Sequence, residues 1–441
     1  MNDLSNAKFD NLLASLFTES REFSLALCKP LEIEDYGLQA MAETSPVKWH
    51  LAHTSWFYET FVLKPFAHHY QEFHPLYHHL FNSYYNGVGQ PFKRPNRGLL
   101  SRPTVQKVLE YRLYIDQAIQ ALLEQLASHF TKRQQEQIKQ RIQLGIQHEK
   151  QHQELMLTDL KYNFFQNPLL PEYQHKANEL IHADISPATP TNIDDYTWRR
   201  LKEGLVAIGH NDDSFCFDNE TPNHLSCIPA AEIANELVSN AHYQAFIEDG
   251  GYQNADLWLS DGWDWVNTHH QQHPLYWIKD NAEYYEFTLY GKQRLNLSAP
   301  VCHVSFYEAD AFARWSGCRL PTEFEWEGYA KSMTGQHAQE ADLNTEQNNL
   351  KQPIYHPNSC RQNSLFQQVW QWTQSSYAPY PGFQPAQGAI GEYNGKFMCN
   401  QIVLRGGSCF TPVAQSRTTY RNFFYPESCW QMTGIRLAKQ H

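Results

Sequence analysis

The feature that most limits what this chain can fold into is a change of period near residue 165. Before it, apolar and polar residues recur near the helical repeat with few glycines. After it, short Val, Ile, Phe and Tyr segments alternate with turns such as EDGGYQ, LSDGW, YNGK and RGGS. A length of 441 residues accommodates two domains, each able to bury its own core. Pattern and length together predict an α+β chain. A four-helix bundle is expected over residues 1–170, a surface linker rich in Pro, Thr, Asp and Asn over 171–198, and a mixed, tryptophan-rich domain over 199–441.

Within the first part, helices are expected from Asp3 to Cys28, from Pro46 in the first turn until Pro65 stops the helix, from about Pro103 to Phe130, and from Thr131 or Lys132 to Phe165. The segment between the second and third, HPLYHHLFNSYYNGVGQPFKRPNRGLLSRPT, reads as structureless, and loops of that length usually carry function. In the second part, helical windows are expected near Asn240 and over Val304–Trp315, with Gln336–Gln352 as a polar solvent loop.

Composition narrows the functional classes. Lys plus Arg total 35 against 47 acids, a formal charge of −12, which disfavours a general nucleic-acid partner. The nine cysteines are scattered and never form C-x-x-C, which argues against a disulfide framework or cysteine zinc knuckle and fits a reducing cytoplasm. The opening MNDLSNAKFDN places acids and amides where a signal peptide has its apolar run. No stretch reaches the roughly 18 apolar residues of a span, so no membrane partner is expected. The 22 histidines and 14% aromatic residues exceed what packing or solubility requires and point to pockets.

The strongest local signal is His148-Glu149-Lys150-Gln151-His152 in the fourth predicted helix, because residues four apart share a face and present two imidazoles to one ion. His53, with Trp49, Trp56 and Phe57 around it in the second helix, supplies a third ligand from a facing helix. Three neutral imidazoles suit iron(II), zinc or copper and leave positions for water or substrate. A histidine pair on a solvated helix face with no ligand role is the alternative. The same residues match H-E-x-x-H, in which Glu149 would activate water in a zinc protease. The metzincin glycine and third histidine are absent, and Glu154 points away from the ligand face. Gln151 is placed at the pocket rim to hydrogen-bond a polar substrate.

In the long loop, Tyr84 and Tyr85 precede Lys93, Arg94, Arg97 and Arg102. A phenol can donate a proton or hydrogen atom, and a guanidinium can hold a carboxylate in a two-pronged contact; a solvated surface loop is the alternative. In the second part, Val369–Thr373, Tyr377–Phe383 and Val403–Ser408 leading to Tyr420–Phe424 supply rings and an asparagine. These suit a ligand with a cationic end and a hydrogen-bonding end, with core packing as the other reading.

Several separated segments, WHLAHTSWFYETF, HEKQHQE, NSYYNGVG, RPNRGLLSRPT, VWQWTQSSYAPYPGF, and VLRGGSCF followed by YRNFF and TGIRLA, resemble in this order the ergothioneine-biosynthesis sulfoxide synthases. In that family a DinB-like four-helix bundle precedes a mixed domain similar to formylglycine-generating enzymes and C-type lectins. The likeness covers nearly the whole chain. It implies a non-haem iron(II) enzyme that uses dioxygen to join a thiol to the imidazole of hercynine, the trimethylated form of histidine, with oxidation of sulfur to the sulfoxide. It implies His53, His148 and His152 as iron ligands and Gln151 as a hydrogen-bonding partner of the hercynine imidazole. Asn422 with Phe423 would receive the amino-acid portion and quaternary ammonium.

The Tyr84-Tyr85 pair resembles the branch that uses free L-cysteine, and Phe424 stands where the gamma-glutamylcysteine branch carries an aspartate. The resemblance therefore implies L-cysteine as the thiol. Arg94 and Arg97 are then expected at its carboxylate, with Arg102 as the substitute for either. Tyr84 or Tyr85 would deliver the proton or hydrogen atom that favours carbon–sulfur bonding over thiol dioxygenation, and Tyr377 and Tyr380 would line the pocket. Cys409 in RGGSCF lacks the paired cysteines of the formylglycine-generating enzymes, so copper-dependent peptide oxidation is not expected. A synthase using gamma-glutamylcysteine or a selenosugar, and a noncatalytic binding protein with structural histidines, are the competing readings.

Overall fold

The computed structural model describes residues 2–175, 193, 196–281, 283–334, 354–357 and 365–440. Most of the expected linker and the expected solvent loop Gln336–Gln352 lie outside the described residues. The chain divides into two compact units, Met1–Asn167 with Ala386–Tyr393, and Pro168–Pro385 with Asn394–His441.

Four long helices build the first unit: α1 (Asn2–Ala26), α2 (Val47–Tyr58), α3 (Val105–Glu124) and α4 (Lys132–Phe165). Thr104 caps α3 by accepting from Lys107 N, and Thr131 with Gln134 forms a reciprocal cap that starts α4. The third helix ends earlier than expected and is followed by a separate turn at Leu126–His129. Pro46 lies one residue outside α2, at its N-cap.

The helical run ends at Phe66, one residue beyond the stop expected at Pro65. The chain passes through a π-turn at Glu59–Leu63, in which Lys64 N reaches back to Glu59 O, and winds on through Lys64–Phe66. Proline lacks an N–H for the carbonyl four residues earlier. That carbonyl, Phe61 O, accepts from Arg141 Nη1 of α4 at 2.9 Å, so no buried acceptor is stranded.

Gly145 sets how closely α2 and α4 approach, since a Cβ there would lie 2.4 Å from the Tyr58 ring. The same contact brings the His148 turn of α4 towards the His53 turn of α2. The long loop after α2 is not structureless. It contains a helical turn at Tyr77–Leu80 and 3-10 turns at Asn86–Val88 and Arg94–Leu99.

The second unit carries small sheets rather than one large one. In chain order its strands include β1 (Trp198–Leu201), β2 (Gly204–Ile208), β3 (His224–Ile228), β4 (Ala231–Ala234), β5 (Trp277–Asp280), β6 (Glu283–Thr288), β7 (Gly291–Arg294), β8 (Trp370–Ser376), β9 (Ile402–Arg405), β10 (Asn422–Phe424), β11 (Thr433–Gly434) and β12 (Ala438–Gln440). They pair as β1-β4-β12, β10-β9-β8-β11, β2-β3 and β5-β6-β7. Helices α5 (Asn240–Glu248), α6 (Ser260–His269), α7 (Phe306–Trp315) and α8 (Glu323–Thr334) accompany them. Trp326, Tyr329 and Ala330 of α8 pack into one core with Leu201, Ile228, Ile233, Leu365 and Ala438. Trp370 and Trp372 are buried, which makes them core residues as the packing reading held. No helix among the described residues is long and apolar enough to cross a membrane.

Candidate metal centre

His53 of α2 is fully buried between two indoles. Its ring stacks on Trp49 at 4.6 Å and on Trp56 at 5.4 Å. Spacings of four and three residues place these rings along one stripe of the helix. From α4, the rings of His148 and His152 lie 5.0 and 4.7 Å from that of His53 and 4.5 Å from each other. One nitrogen from each of the three lies within 4.8 Å of the others. The helix face carrying His148 is buried, which removes the reading of a solvated histidine pair.

At two of the three rings, hydrogen bonds to the outer nitrogen select the tautomer that a metal needs, while the buried His148 Nδ1 has no partner among the described residues. His53 Nδ1 lies 2.6 Å from Phe81 O and therefore carries the proton, which leaves the buried Nε2 as a bare lone pair with no hydrogen-bond partner among the described residues. Asp159 Oδ2 accepts Ser45 N at 2.7 Å and lies 3.2 Å from His50 Nε2, so His50 donates there. Its Nδ1 is then the acceptor for His152 Nδ1, 2.8 Å away. This chain frees His152 Nε2, which sits 3.1 Å from His148 Nε2. Two nitrogens about 2.1 Å from one ion would stand about 3.0–3.4 Å apart, so the donor set fits a metal.

Burial reinforces the choice by penalising the charged ring. It pulls His148 down to about 3 and, with the neighbouring imidazoles, holds His53 and His152 well below the usual histidine value. Asp159→Asn is expected to weaken metal affinity about 10- to 100-fold, because an amide can donate to His50 and reverse the proton chain. Competitive titration against a chelator measures this, and unchanged affinity would remove Asp159 from the site.

Glu149 faces away from this chemistry. Its carboxylate receives Arg21 Nη1 at 3.0 Å, Arg112 Nη2 at 2.8 Å and Ser24 Oγ at 2.7 Å. Burial alone would raise its pKa, but the two guanidiniums and the hydroxyl hold it down at about 2. A carboxylate so occupied cannot serve as a water-activating base, and the zinc-protease reading falls.

Among the loop residues, Arg97 is buried with its guanidinium carbon 3.4 Å from the centre of the Trp49 ring, and Trp49 stacks in turn on His53. Its hydrogen bonds go to the neutral hydroxyls of Ser45 (2.8 Å) and Ser83 (3.2 Å), while Nε has no partner among the described residues. Burial, with Arg94 adding, lowers its pKa well below the usual value, a strain that an anionic ligand would relieve. Arg94 and Arg102 are exposed, and Arg102 donates to Ser101 O.

Tyr85 is buried against Trp56 (5.5 Å) and Phe61 (5.1 Å), and burial raises its pKa well above the usual phenol value. Tyr84 stacks on it at 4.5 Å, with the hydroxyls 3.4 Å apart. Asn82 fixes this turn by accepting from Tyr85 N and donating to Tyr85 O, both at 2.9 Å. The same loop thus orients His53 through Phe81 and carries both phenols.

Gln151 accepts from Tyr393 Oη, and the Tyr393 ring lies 5.8 Å from that of His148. Sequence reasoning missed Tyr393. It arrives from 242 positions away on a short segment with no helical or strand period. Its neighbour Glu392 fastens that segment to the loop by accepting Asn86 N at 3.0 Å and Gly87 N at 2.7 Å.

The remaining expected site residues lie in the second unit. Tyr377 is buried, accepts from Asn219 Nδ2 at 2.9 Å and stacks on Phe423 at 4.0 Å. Tyr380 is buried in an ion cluster, 3.0 Å from Arg405 Nη2 and 3.4 Å from Glu323 Oε2. Asn422, Phe423 and Phe424 occupy β10, paired with Leu404, Val403 and Ile402 of β9.

Comparison with known proteins supports these two parts. Residues 185–441 match the Sulfatase-modifying factor enzyme 1-like domain family, and residues 16–156 match the DinB superfamily. The hercynine oxygenase of Mycolicibacterium smegmatis is 30% identical over 68% of this chain and 71% of its own length. That of Mycolicibacterium thermoresistibile is 29% identical over 66% and 67%, and that of Mycobacterium tuberculosis 31% identical over 53% and 58%, respectively. With a helical bundle of DinB type, a mixed domain of sulfatase-modifying-factor type and a buried trio of histidines able to hold a metal, this chain belongs to the hercynine oxygenase family.

Proposed function

We propose that the protein is a non-haem iron(II), dioxygen-dependent sulfoxide synthase that joins L-cysteine to the imidazole of hercynine. The observation that carries this reading is the set of three buried imidazoles with nitrogens grouped for one ion, two of them held by hydrogen bonds that leave Nε2 bare, in a chain of the hercynine oxygenase family. Bound at His53, His148 and His152, iron would supply a site for the thiolate and for activation of dioxygen.

The protein's own groups do the rest. Arg97, which lacks a carboxylate partner among the described residues, would hold the cysteine carboxylate, with Arg94 at the same loop assisting. Gln151, fixed by Tyr393, would orient the hercynine ring, Asn422 with Phe423 would receive its amino-acid end and quaternary ammonium, and Phe424 would bear on the choice of thiol. Tyr377 supports that end by stacking on Phe423, and Tyr380 holds the surrounding wall through Arg405. Because burial raises the Tyr85 pKa, its phenol stays protonated at neutral pH and suits a donor role, with Tyr84 beside it.

Two measurements test the reading. Oxygen uptake and product mass with hercynine plus cysteine, gamma-glutamylcysteine or a selenosugar should favour cysteine, and preference for either other donor would reassign the thiol site. In the Tyr84→Phe/Tyr85→Phe double variant, sulfoxide yield is expected to fall by about 10²–10⁴-fold, while the thiol is diverted to sulfinate. Unchanged yield and rate would remove both phenols from the reaction.

A further inference from the structure

The second unit holds another group of metal-ligating side chains, unrelated to the histidine trio. Glu286 lies on β6, the middle strand of its sheet, paired with Trp277 on one side and Gln293 on the other. Its carboxylate is buried, as is the thiol of Cys302, and His356 completes the group with its Nε2 3.1 Å from Glu286 Oε1. One ligand atom from each of the three lies within 4.8 Å of the other two.

Packing alone does not account for this group. Glu286 and His356 pair across 3.1 Å beside the buried thiol of Cys302. That pairing leaves a difficulty. His356 Nδ1 is buried with no hydrogen-bond partner among the described residues, and protonating it would strand a donor just as the neutral ring strands a lone pair. A cation shared by the three side chains removes it by giving the imidazole a second partner.

We propose that Glu286, Cys302 and His356 form a second divalent-cation site of the zinc class, with the remaining position left to water. One thiolate, one imidazole and one carboxylate make a mixed set that zinc accepts in tetrahedral geometry, whereas an all-nitrogen site also serves iron. The site ties together a central strand, the loop before α7 and the segment around residue 356, which are remote in sequence. Its role is to staple the fold, so ion binding should appear as added stability.

Cobalt(II) titration of the full-length metal-free protein tests this, because cobalt bonded to a thiolate absorbs by charge transfer in the near ultraviolet and cobalt bonded only to imidazoles does not. The wild-type protein is expected to develop that band with one cobalt per chain. Cys302→Ser should abolish it while the three-histidine site still takes up cobalt, which shows that the variant is folded. Zinc should raise the wild-type melting temperature, and His356→Gln should reduce that rise. No thiolate band in the wild-type protein, or an undiminished band in Cys302→Ser, would overturn the proposal whatever reaction the histidine site performs.

Discussion

Replacing His152 with alanine is expected to reduce bound iron and hercynine-dependent oxygen uptake to background. The loss follows from more than one missing donor. His152 Nε2 is one of two α4 nitrogens 3.1 Å apart, and its Nδ1 donates to His50 Nδ1, whose own tautomer Asp159 fixes. Alanine removes the ligand and leaves His50 Nδ1 without its donor. His53→Ala should behave alike, since Phe81 O would lose its only imidazole partner among the described residues. Metal analysis of purified, refilled variants checks both, and a His152→Ala protein that keeps one iron per chain would show that the ion sits elsewhere.

Glu149→Gln is expected to cost about 3–5 kcal/mol of stability, because it leaves buried guanidiniums uncompensated. Arg21 retains Asp116 at 2.6 Å, but Arg112 is left with the neutral acceptors Leu51 O, Thr54 Oγ1 and Arg21 O. The pH dependence has a definite sign. Glu149 is held at about 2, below its usual 4.5, so its stabilisation is present above about 4.5 and is lost as pH falls towards 2. His148, which burial holds at about 3 against a usual 6.5, adds a second loss as pH falls from 6.5 to 3, because only the unfolded chain takes up its proton there. Thermal melts of the metal-free protein should therefore drop across both windows, and Glu149→Gln should flatten only the lower one. A variant as stable as the parent would mean that the network does not hold the helices together.

The residues that the sequence made legible are those whose meaning lies in local spacing. His148 and His152 sit one turn apart on a helix whose expected bounds match the observed Lys132–Phe165. His53 was legible through the indoles at matching turns, which do enclose it. Pro65 ends its helix within one residue, as local rules expect, and Arg141 of another helix takes the carbonyl that proline leaves unbonded. Local rules failed where a distant group changed the balance. LSDGW reads as a turn, yet Gly262 lies inside α6, where a Cβ would press within 3.0 Å of Tyr307. The glycine serves close packing there. EDGGYQ keeps its expected meaning, since Gly250 adopts a φ of 81° just after α5.

The partners of Glu149 and the arrival of Tyr393 were not legible for the same reason. H-E-x-x-H gives no sign that Arg21 and Arg112 claim the glutamate, and those arginines come from two other helices. Tyr393 reaches Gln151 only because Glu392 binds the loop backbone at Asn86 and Gly87. Such contacts depend on where long-range packing places a short irregular segment, and no periodicity records that.

X-ray absorption at the iron edge, on the anaerobically refilled full-length protein, tests the account most directly. It predicts one iron per chain with three imidazole nitrogens in its first shell and no protein sulfur before thiol is added. A shell with fewer imidazoles, or one unchanged after His53, His148 and His152 are all replaced by alanine, would contradict it.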